Sequence, residues 1–215
     1  AGQPAVGDLF EYSKNQAPKH IVDKANEHHM PVLNYLEELA SHIKIEEQHV
    51  VVLDWLNGNR SILSNSHLTG SIFGLTLQTP YEMIHRAYIE ATAFGTKLIM
   101  KQFEDNHIPV HTVYASGGIP QKSKLLVEIY ANVLNKKVVV LDSSNASALG
   151  AAMLGATVGN AYSTLKEAAL SMKQPIAYIQ EPEFQKVQAY EPLYHKYCEL
   201  HDLLGRQYPE LSYLI

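Results

Sequence analysis

The spacing of apolar positions predicts a chain made mostly of helices, with short strands between them. Apolar residues recur three and four positions apart in several stretches, which is the pattern of a helix with one buried face. These predicted helices cover residues 7–16, 21–43, 80–103, 146–159, 164–172 and 183–205. Pro31 lies inside the second stretch, and we predict a break into two helices there because proline cannot continue a helical hydrogen-bond ladder.

Short runs of β-branched and apolar residues predict the strands. Val50–Leu53, Val110–Ala115 and Val138–Leu141 have this composition, and we expect the first two to form buried strands and the third to form another strand. A further apolar segment covers residues 72–77, between Gly70 and Pro80. Strands that alternate with helices predict a layered α/β domain.

A Gly-Gly pair joins one of these strands to a helical pattern. Residues 115–122 have the sequence ASGGIPQK, and apolar positions at helical spacing follow them to about Asn135. Paired glycines let a ligand approach the backbone closely, and the free N–H groups of a following helix favour a polar or anionic partner. The turn therefore suggests a nucleotide site, while an ordinary tight turn is the commoner meaning of so short a motif.

Composition and charge narrow the class of protein. The chain has 215 residues, 46% hydrophobic and 18% charged, which is typical of one large or two small globular domains. A net charge of −5 gives no broad basic surface, so we expect no nucleic-acid partner. No apolar run approaches the ~20 residues of a membrane span, and Cys198 has no second cysteine to pair with. With no signal-peptide pattern at residues 1–7, we expect a cytoplasmic protein.

Familiar catalytic motifs do not appear among the polar residues. The turn at 115–122 lacks the G-x-G-x-x-G spacing of a dinucleotide site, and the chain has no Walker A sequence. The adjacent pair His28 and His29 would diverge on a helix, so we expect no metal held directly by this chain. Asp54 follows a strand and suits either an acid–base role or a turn cap, whereas Glu90 and Arg86 suit an i,i+4 ion pair.

Several segments, in order, resemble the C-terminal half of the FGGY carbohydrate kinases, and most closely their ribulokinase branch. They are 1–8 (AGQPAVGD), 53–61 (LDWLNGNRS), 74–79 (GLTLQT), 90–96 (EATAFGT), 116–119 (SGGI) and 148–153 (ALGAAM). The resemblance implies an actin-like ATPase fold of the ribonuclease H-like type, in which two α/β domains close over a cleft. Residues 1–215 would form a single domain, the nucleotide-binding C-terminal half, truncated at its N-terminal edge.

The resemblance also implies an activity and a set of binding residues. The expected reaction is ATP-dependent phosphorylation of a ketopentose, L-ribulose above all, in arabinose catabolism, with Mg²⁺ bridging the ATP phosphates. Gly117 and Gly118 would approach the adenosine, and Lys122 stands where related kinases place a nucleotide-contacting side chain. Gly7 and Glu11 are weaker candidates for the phosphate side. The segment around Asp54 would support the fold.

The resemblance also implies that the family's catalytic residues are not part of this chain. In this family the catalytic aspartate, the Gly-Thr phosphate loop and nearly all sugar contacts precede the segment that matches Ala1. We therefore expect no catalytic residue here, sugar binding only through the missing N-terminal domain, and no kinase activity from this chain alone. The sequence leaves open whether the protein forms a homo-oligomer. The alternatives are an FGGY kinase for xylulose, glycerol or gluconate, and a non-catalytic nucleotide-binding module on the same fold.

Overall fold

The computed structural model describes residues 2–142 and 145–213. Nine described helices are α1 (Val6–Asn15), α2 (Lys19–Glu27), α3 (Val32–Ser41), α4 (Tyr81–Asp105), α5 (Gly118–Lys122), α6 (Lys124–Leu134), α7 (Ala146–Val158), α8 (Leu165–Met172) and α9 (Phe184–Asp202). The described strands are β1 (Val51–Leu53), β2 (Ser71–Phe73), β3 (Thr112–Ala115), β4 (Lys137–Leu141) and β5 (Ile176–Gln180).

Two prolines determine where helices begin. Pro31 immediately precedes α3, and the predicted stretch over 21–43 is broken there as expected. Pro80 likewise precedes α4, where its missing N–H removes no helical hydrogen bond. The predicted helix after the Gly-Gly pair is also divided. Ser123 ends α5 and accepts a hydrogen bond from the backbone N–H of Leu126, 3.1 Å away, which caps α6.

The strands form two small sheets in the described chain. β1 and β2 pair antiparallel. The second sheet has the order β3-β4-β5, with β3 parallel and β5 antiparallel to β4. The expectation of a buried strand at Val110–Ala115 is wrong: β3 forms there, but none of these residues is buried. Tyr114 is 68% exposed because its side chain faces an open cavity of about 640 Å³ beside α7.

The centre of the molecule is α4. Every residue from His85 to Gly95 is buried, because β1, α6 and α9 all pack around this part of the helix. A smaller apolar cluster of Ile21, Ala25, Tyr35 and Leu36 joins α2 to α3. Placing α4 at the centre means that the segments touching it are held in fixed positions relative to one another.

The apolar helix α7 is the exception to this close packing. Its many small residues would allow close packing on a neighbour, yet none of its residues is buried within the described chain, and Val158 is 83% exposed. The helix contacts α8, which is itself largely exposed. A helix that is apolar on all sides normally lies inside a larger structure. No helix of the described residues is both long enough and apolar enough to cross a bilayer.

Candidate functional site

The Gly-Gly turn presents its backbone to open space. Gly117 has φ 99° and ψ −179°, a conformation that residues with a Cβ rarely adopt, and Gly118 begins α5. A Cβ added at either glycine would meet no heavy atom within 4 Å, apart from its chain neighbours and its own helix backbone. The turn follows directly on the C-terminal end of β3, where ligands of parallel α/β sheets commonly bind.

The surrounding structure holds this turn in place. Gln121 Nε2 donates a hydrogen bond to the carbonyl oxygen of Leu141, at 3.1 Å, and ties α5 to the end of β4. The hydroxyl of Tyr178 donates to the carbonyl oxygen of Pro120, at 3.0 Å, and ties it to β5. The sequence pattern missed β5, although Ile176, Tyr178 and Ile179 give it a β-prone composition. These two bonds hold α5 against the sheet, and the turn with it.

Folding brings the start of α1 to the same turn. A Cβ at Gly7 would lie 3.9 Å from Ile119 Cδ1, which is the second residue of α5. Val6 and Ile119 line one side of a cavity of about 340 Å³ that also reaches Ala115 and Ser116. The predicted phosphate-side segment and the predicted adenosine turn are thus neighbours in space, although they are far apart in the sequence.

The two predicted side-chain contacts are exposed. Lys122 is exposed and is the last residue of α5, the short helix that begins at Gly118. Glu11 lies one helical turn after Gly7 and forms an ion pair with Lys14 on the surface of α1. Both side chains are free to rearrange around a ligand, because exposed long side chains change rotamer readily.

Asp54 forms a second polar feature, next to the start of α1. It follows β1 and lines a cavity of about 250 Å³ together with Asp8, Tyr12 and Asn57. Burial raises the pKa of the Asp54 carboxyl to about 6, and a hydrogen bond from its own backbone N–H opposes that rise. A carboxyl with such a pKa changes its charge close to neutral pH.

Asp54→Asn is expected to stabilise the chain at neutral pH. The folded-state pKa of about 6 exceeds the ordinary aspartate pKa of 3.8, so ionising Asp54 costs folding free energy as the pH rises through this window. The advantage of the variant should be small near pH 3.5 and reach about 3 kcal/mol above pH 7. Urea unfolding at both pH values measures it, with Asp8→Asn as the matched control, and an advantage that does not depend on pH would contradict the assignment.

The segment after Asp54 has a structural role, as expected from the sequence. Trp55 is buried and packs edge-on against the ring of His201 in α9, with 5.4 Å between ring centroids. Asn59 is also buried, and its side-chain oxygen accepts a hydrogen bond from the backbone N–H of Leu63. This segment joins β1 to the C-terminal helix. In the part of the chain that the structure describes, no group of three or more histidine, cysteine or acidic residues is placed to hold a metal ion.

Sequence comparison identifies relatives of this chain. It is 97% identical over 215 residues to a protein named ribulokinase from Staphylococcus epidermidis strain ATCC 12228. The aligned region covers 100% of this chain but 40% of that protein. It is 68% identical over 214 residues to ribulokinase 1 from Staphylococcus saprophyticus, again covering 40% of the relative. The chain thus spans about two fifths of the length of these curated relatives.

Solved structures confirm the predicted fold. A ligand-bound xylulose kinase from Lactobacillus acidophilus matches 96% of this chain and 39% of that chain, with a TM-score of 0.78 and 20% identity. A xylulose kinase from Rhodospirillum rubrum matches 92% of this chain and 38% of that chain, with a TM-score of 0.73 and 23% identity. These neighbours have the actin-like ATPase fold, and the match covers its C-terminal part.

A family model completes the comparison. Residues 1–158 match the C-terminal domain of the FGGY family of carbohydrate kinases. The match includes β1, α4, the Gly117–Gly118 turn and all but the last elements of the fold. It therefore agrees with the resemblance that the sequence segments carry, and with the structural neighbours. The chain belongs to the FGGY family of carbohydrate kinases, as part of its C-terminal domain.

Proposed function

We propose that this chain is the nucleotide-binding part of a longer kinase that phosphorylates L-ribulose to L-ribulose 5-phosphate. The observation that carries the proposal is the open Gly117–Gly118 turn, with the start of α1 beside it. The relatives named ribulokinase support the choice of sugar, since one is 97% identical to this chain. Residues 1–215 would form a single domain, truncated at its N-terminal edge.

Each predicted binding residue receives a role in this proposal. Gly117 and Gly118 would let the adenosine of ATP approach the backbone, because an added Cβ meets open space at both positions. Lys122 would contact the nucleotide from the same short helix, and Gly7 and Glu11 would lie on the phosphate side. Bound through the ATP phosphates, Mg²⁺ would offset the negative charge that develops during transfer. Carboxylates of the described chain do not cluster into a separate metal site.

This chain would contribute binding and orientation to the reaction. Phosphoryl transfer depends on holding the nucleotide and the attacking hydroxyl in line, and on neutralising charge around the transferred group. The turn would hold the adenosine end of ATP in position, since α5 is hydrogen-bonded to β4 and β5. The base that accepts the sugar proton, the phosphate loop and most sugar contacts would come from the N-terminal part of the longer protein.

A different sugar is the second candidate. The structural neighbours include xylulose kinases and a gluconate kinase from Lactobacillus acidophilus, at 20–23% identity. Such similarity shows the fold alone, and the sugar contacts would lie mainly in the N-terminal domain. Comparing kcat/KM of the full-length protein for L-ribulose, xylulose, glycerol and gluconate separates these candidates, with L-ribulose expected to be preferred.

Nucleotide binding and turnover test the proposal together. We expect calorimetry to detect ADP binding to the 215-residue chain, because the adenosine turn is complete within it. We expect ribulose-dependent ADP formation only from the full-length protein, because this chain would lack the proton acceptor. Turnover by the chain alone, or a full-length protein that neither binds nucleotide nor phosphorylates a sugar, would contradict the proposal. The second result would favour a non-catalytic module.

A further inference from the structure

The segment that precedes α1 is anchored to the central helix by one side chain. Gln3 Nε2 donates a hydrogen bond to the backbone carbonyl oxygen of Thr92, at 3.0 Å. The hydroxyl of Thr96 lies 3.5 Å from Gln3 Oε1, at the limit of hydrogen-bond distance. Both amide ends of Gln3 therefore face α4. The backbone N–H of Gly2 donates to the Ser61 hydroxyl at 3.0 Å, which adds a second anchor to this segment.

A glycine in the middle of α4 makes room for this contact. A Cβ added at Gly95 would overlap Gln3 Nε2 and lie 3.2 Å from Gln3 Cδ and 3.4 Å from the hydroxyl of Tyr197. Glycine is a poorer helix former than alanine, so a glycine inside a buried helix calls for a compensating contact. The close approach of the Gln3 amide is such a contact.

The anchored residue lies only a few positions before the candidate phosphate-side residue. Ala5 adopts a left-handed conformation with φ 59° and caps α1, which begins at Val6. Val6 then lines the cavity that reaches Ser116 at the Gly-Gly turn, and Gly7 faces Ile119 of α5. Because only two residues separate Gln3 from the first residue of α1, the position of Gln3 limits where α1 begins. The contact on α4 therefore bears on the spacing between α1 and the turn.

We propose that Gln3 and Gly95 form a positioning pair that holds the start of α1 against the Gly117–Gly118 turn and thereby sets nucleotide affinity. Neither residue lines the cavity at the turn, so the pair would act through the position of α1 and not by contact with the nucleotide. This inference rests on the proposed function, because it assumes that the nucleotide binds between the turn and α1. The inference assigns Gly95 a role in nucleotide affinity, in addition to its place in the buried part of α4.

A double-mutant cycle in the full-length protein tests the pair. Gly95→Ala should displace the Gln3 amide, and Gln3→Ala should remove it. Each change is expected to weaken ADP binding about fivefold, as for the loss of one hydrogen bond that keeps the binding conformation populated. Because both act on the same contact, the double variant should also be about fivefold weaker rather than about 25-fold. Calorimetry well below each variant's melting temperature gives the affinities.

Steady-state kinetics separate positioning from general damage to the fold. We expect the KM for ATP to rise in both single variants, while the KM for the sugar stays within about twofold of the wild type. Gln102→Ala, an exposed glutamine change on the same helix, should leave both values unchanged. If the variants melt earlier but bind ADP normally, the role is structural and the inference is overturned. Multiplicative losses in the double variant would overturn it as well.

The outcome also distinguishes this inference from the proposed function. If the wild type binds ADP and Gly118→Leu abolishes binding, the nucleotide site is where we propose it. Unchanged affinity in folded Gly95→Ala and Gln3→Ala would then overturn the positioning pair alone. A wild-type protein that binds no adenine nucleotide would overturn both.

Discussion

Replacing Gly118 by leucine is expected to weaken ADP binding at least about 100-fold, or about 3 kcal/mol, while the protein stays folded. A Cβ added at Gly118 meets no heavy atom within 4 Å beyond its chain neighbours and own helix backbone, and Gly118 lies outside the left-handed region. The fold therefore has little reason to change. A leucine would occupy the space through which the adenosine must approach the backbone. Calorimetry with ADP and a thermal melt measure the two effects.

Two further variants keep this result specific. Gly118→Ala adds a single methyl group and should weaken binding less than the leucine does. Lys19→Leu introduces the same leucine on α2, at a side chain that is 86% exposed, and should leave the affinity unchanged. Gly117 is a poorer choice because its φ of 99° would strain any replacement. Normal ADP binding by a folded Gly118→Leu protein would remove the turn from the site.

Glu90→Ala is expected to lower the free energy of unfolding by about 3–5 kcal/mol. Glu90 Oε1 accepts a hydrogen bond from Arg86 Nε at 2.8 Å, and both side chains are at most 6% exposed. Arg86 also donates to the Ala40 carbonyl oxygen and the Tyr190 hydroxyl. Burial raises the pKa of Glu90, and the charge of Arg86 opposes that rise. Removing the carboxylate leaves a buried guanidinium charge without compensation.

A matched pair on the same helix provides the control for this loss. Lys101 and Asp105 also form an i,i+4 ion pair on α4, with 2.7 Å between the charged atoms, but both side chains are at least half exposed. Asp105→Ala should change stability little, because water solvates the lysine that remains. Urea unfolding compares the variants. Equal losses from Glu90→Ala and Asp105→Ala would contradict the view that burial makes the first pair important.

The double change Arg86→Met with Glu90→Leu tests whether the loss in Glu90→Ala comes from leaving one buried charge unpaired. It removes both charges and restores apolar volume, so it should destabilise the protein less than Glu90→Ala does. The Tyr190 hydroxyl would lose its partners and the Gln48 amide would lose one of its own, which limits the recovery. A double variant that is less stable than the single one would show that these hydrogen bonds outweigh the buried charge.

Local signals in the sequence were sufficient for most elements. The two prolines before α3 and α4 place the helix starts because proline restricts its own backbone and that of its predecessor. The division of the helix after the Gly-Gly pair was missed, since a serine cap inside an apolar pattern gives a weak signal. The strand β5 was missed too, because Ile176 and Ile179 are exposed and show no clean alternation. Both omissions concern short elements that their neighbours stabilise.

Part of the candidate site was likewise predicted from local sequence, and part depends on contacts between distant segments. The Gly117–Gly118 turn was predicted from the sequence, since the freedom of glycine to adopt φ 99° is a local property. The approach of Gly7 to Ile119 could not be predicted from spacing, because it depends on how α1 packs on the rest of the chain. The contact between Gln3 and Gly95 is of the same long-range kind.

By itself, the sequence determined most of the helices and strands, the family and the glycine turn at 117–118. These follow from residue type, apolar spacing and short motifs, which act over a few neighbouring positions. The tertiary structure alone decided which distant segments meet that turn, and it decided the burial that raises the pKa of Asp54 to about 6. Proximity and burial arise from packing between elements, and packing is a property of the whole chain rather than of any one segment.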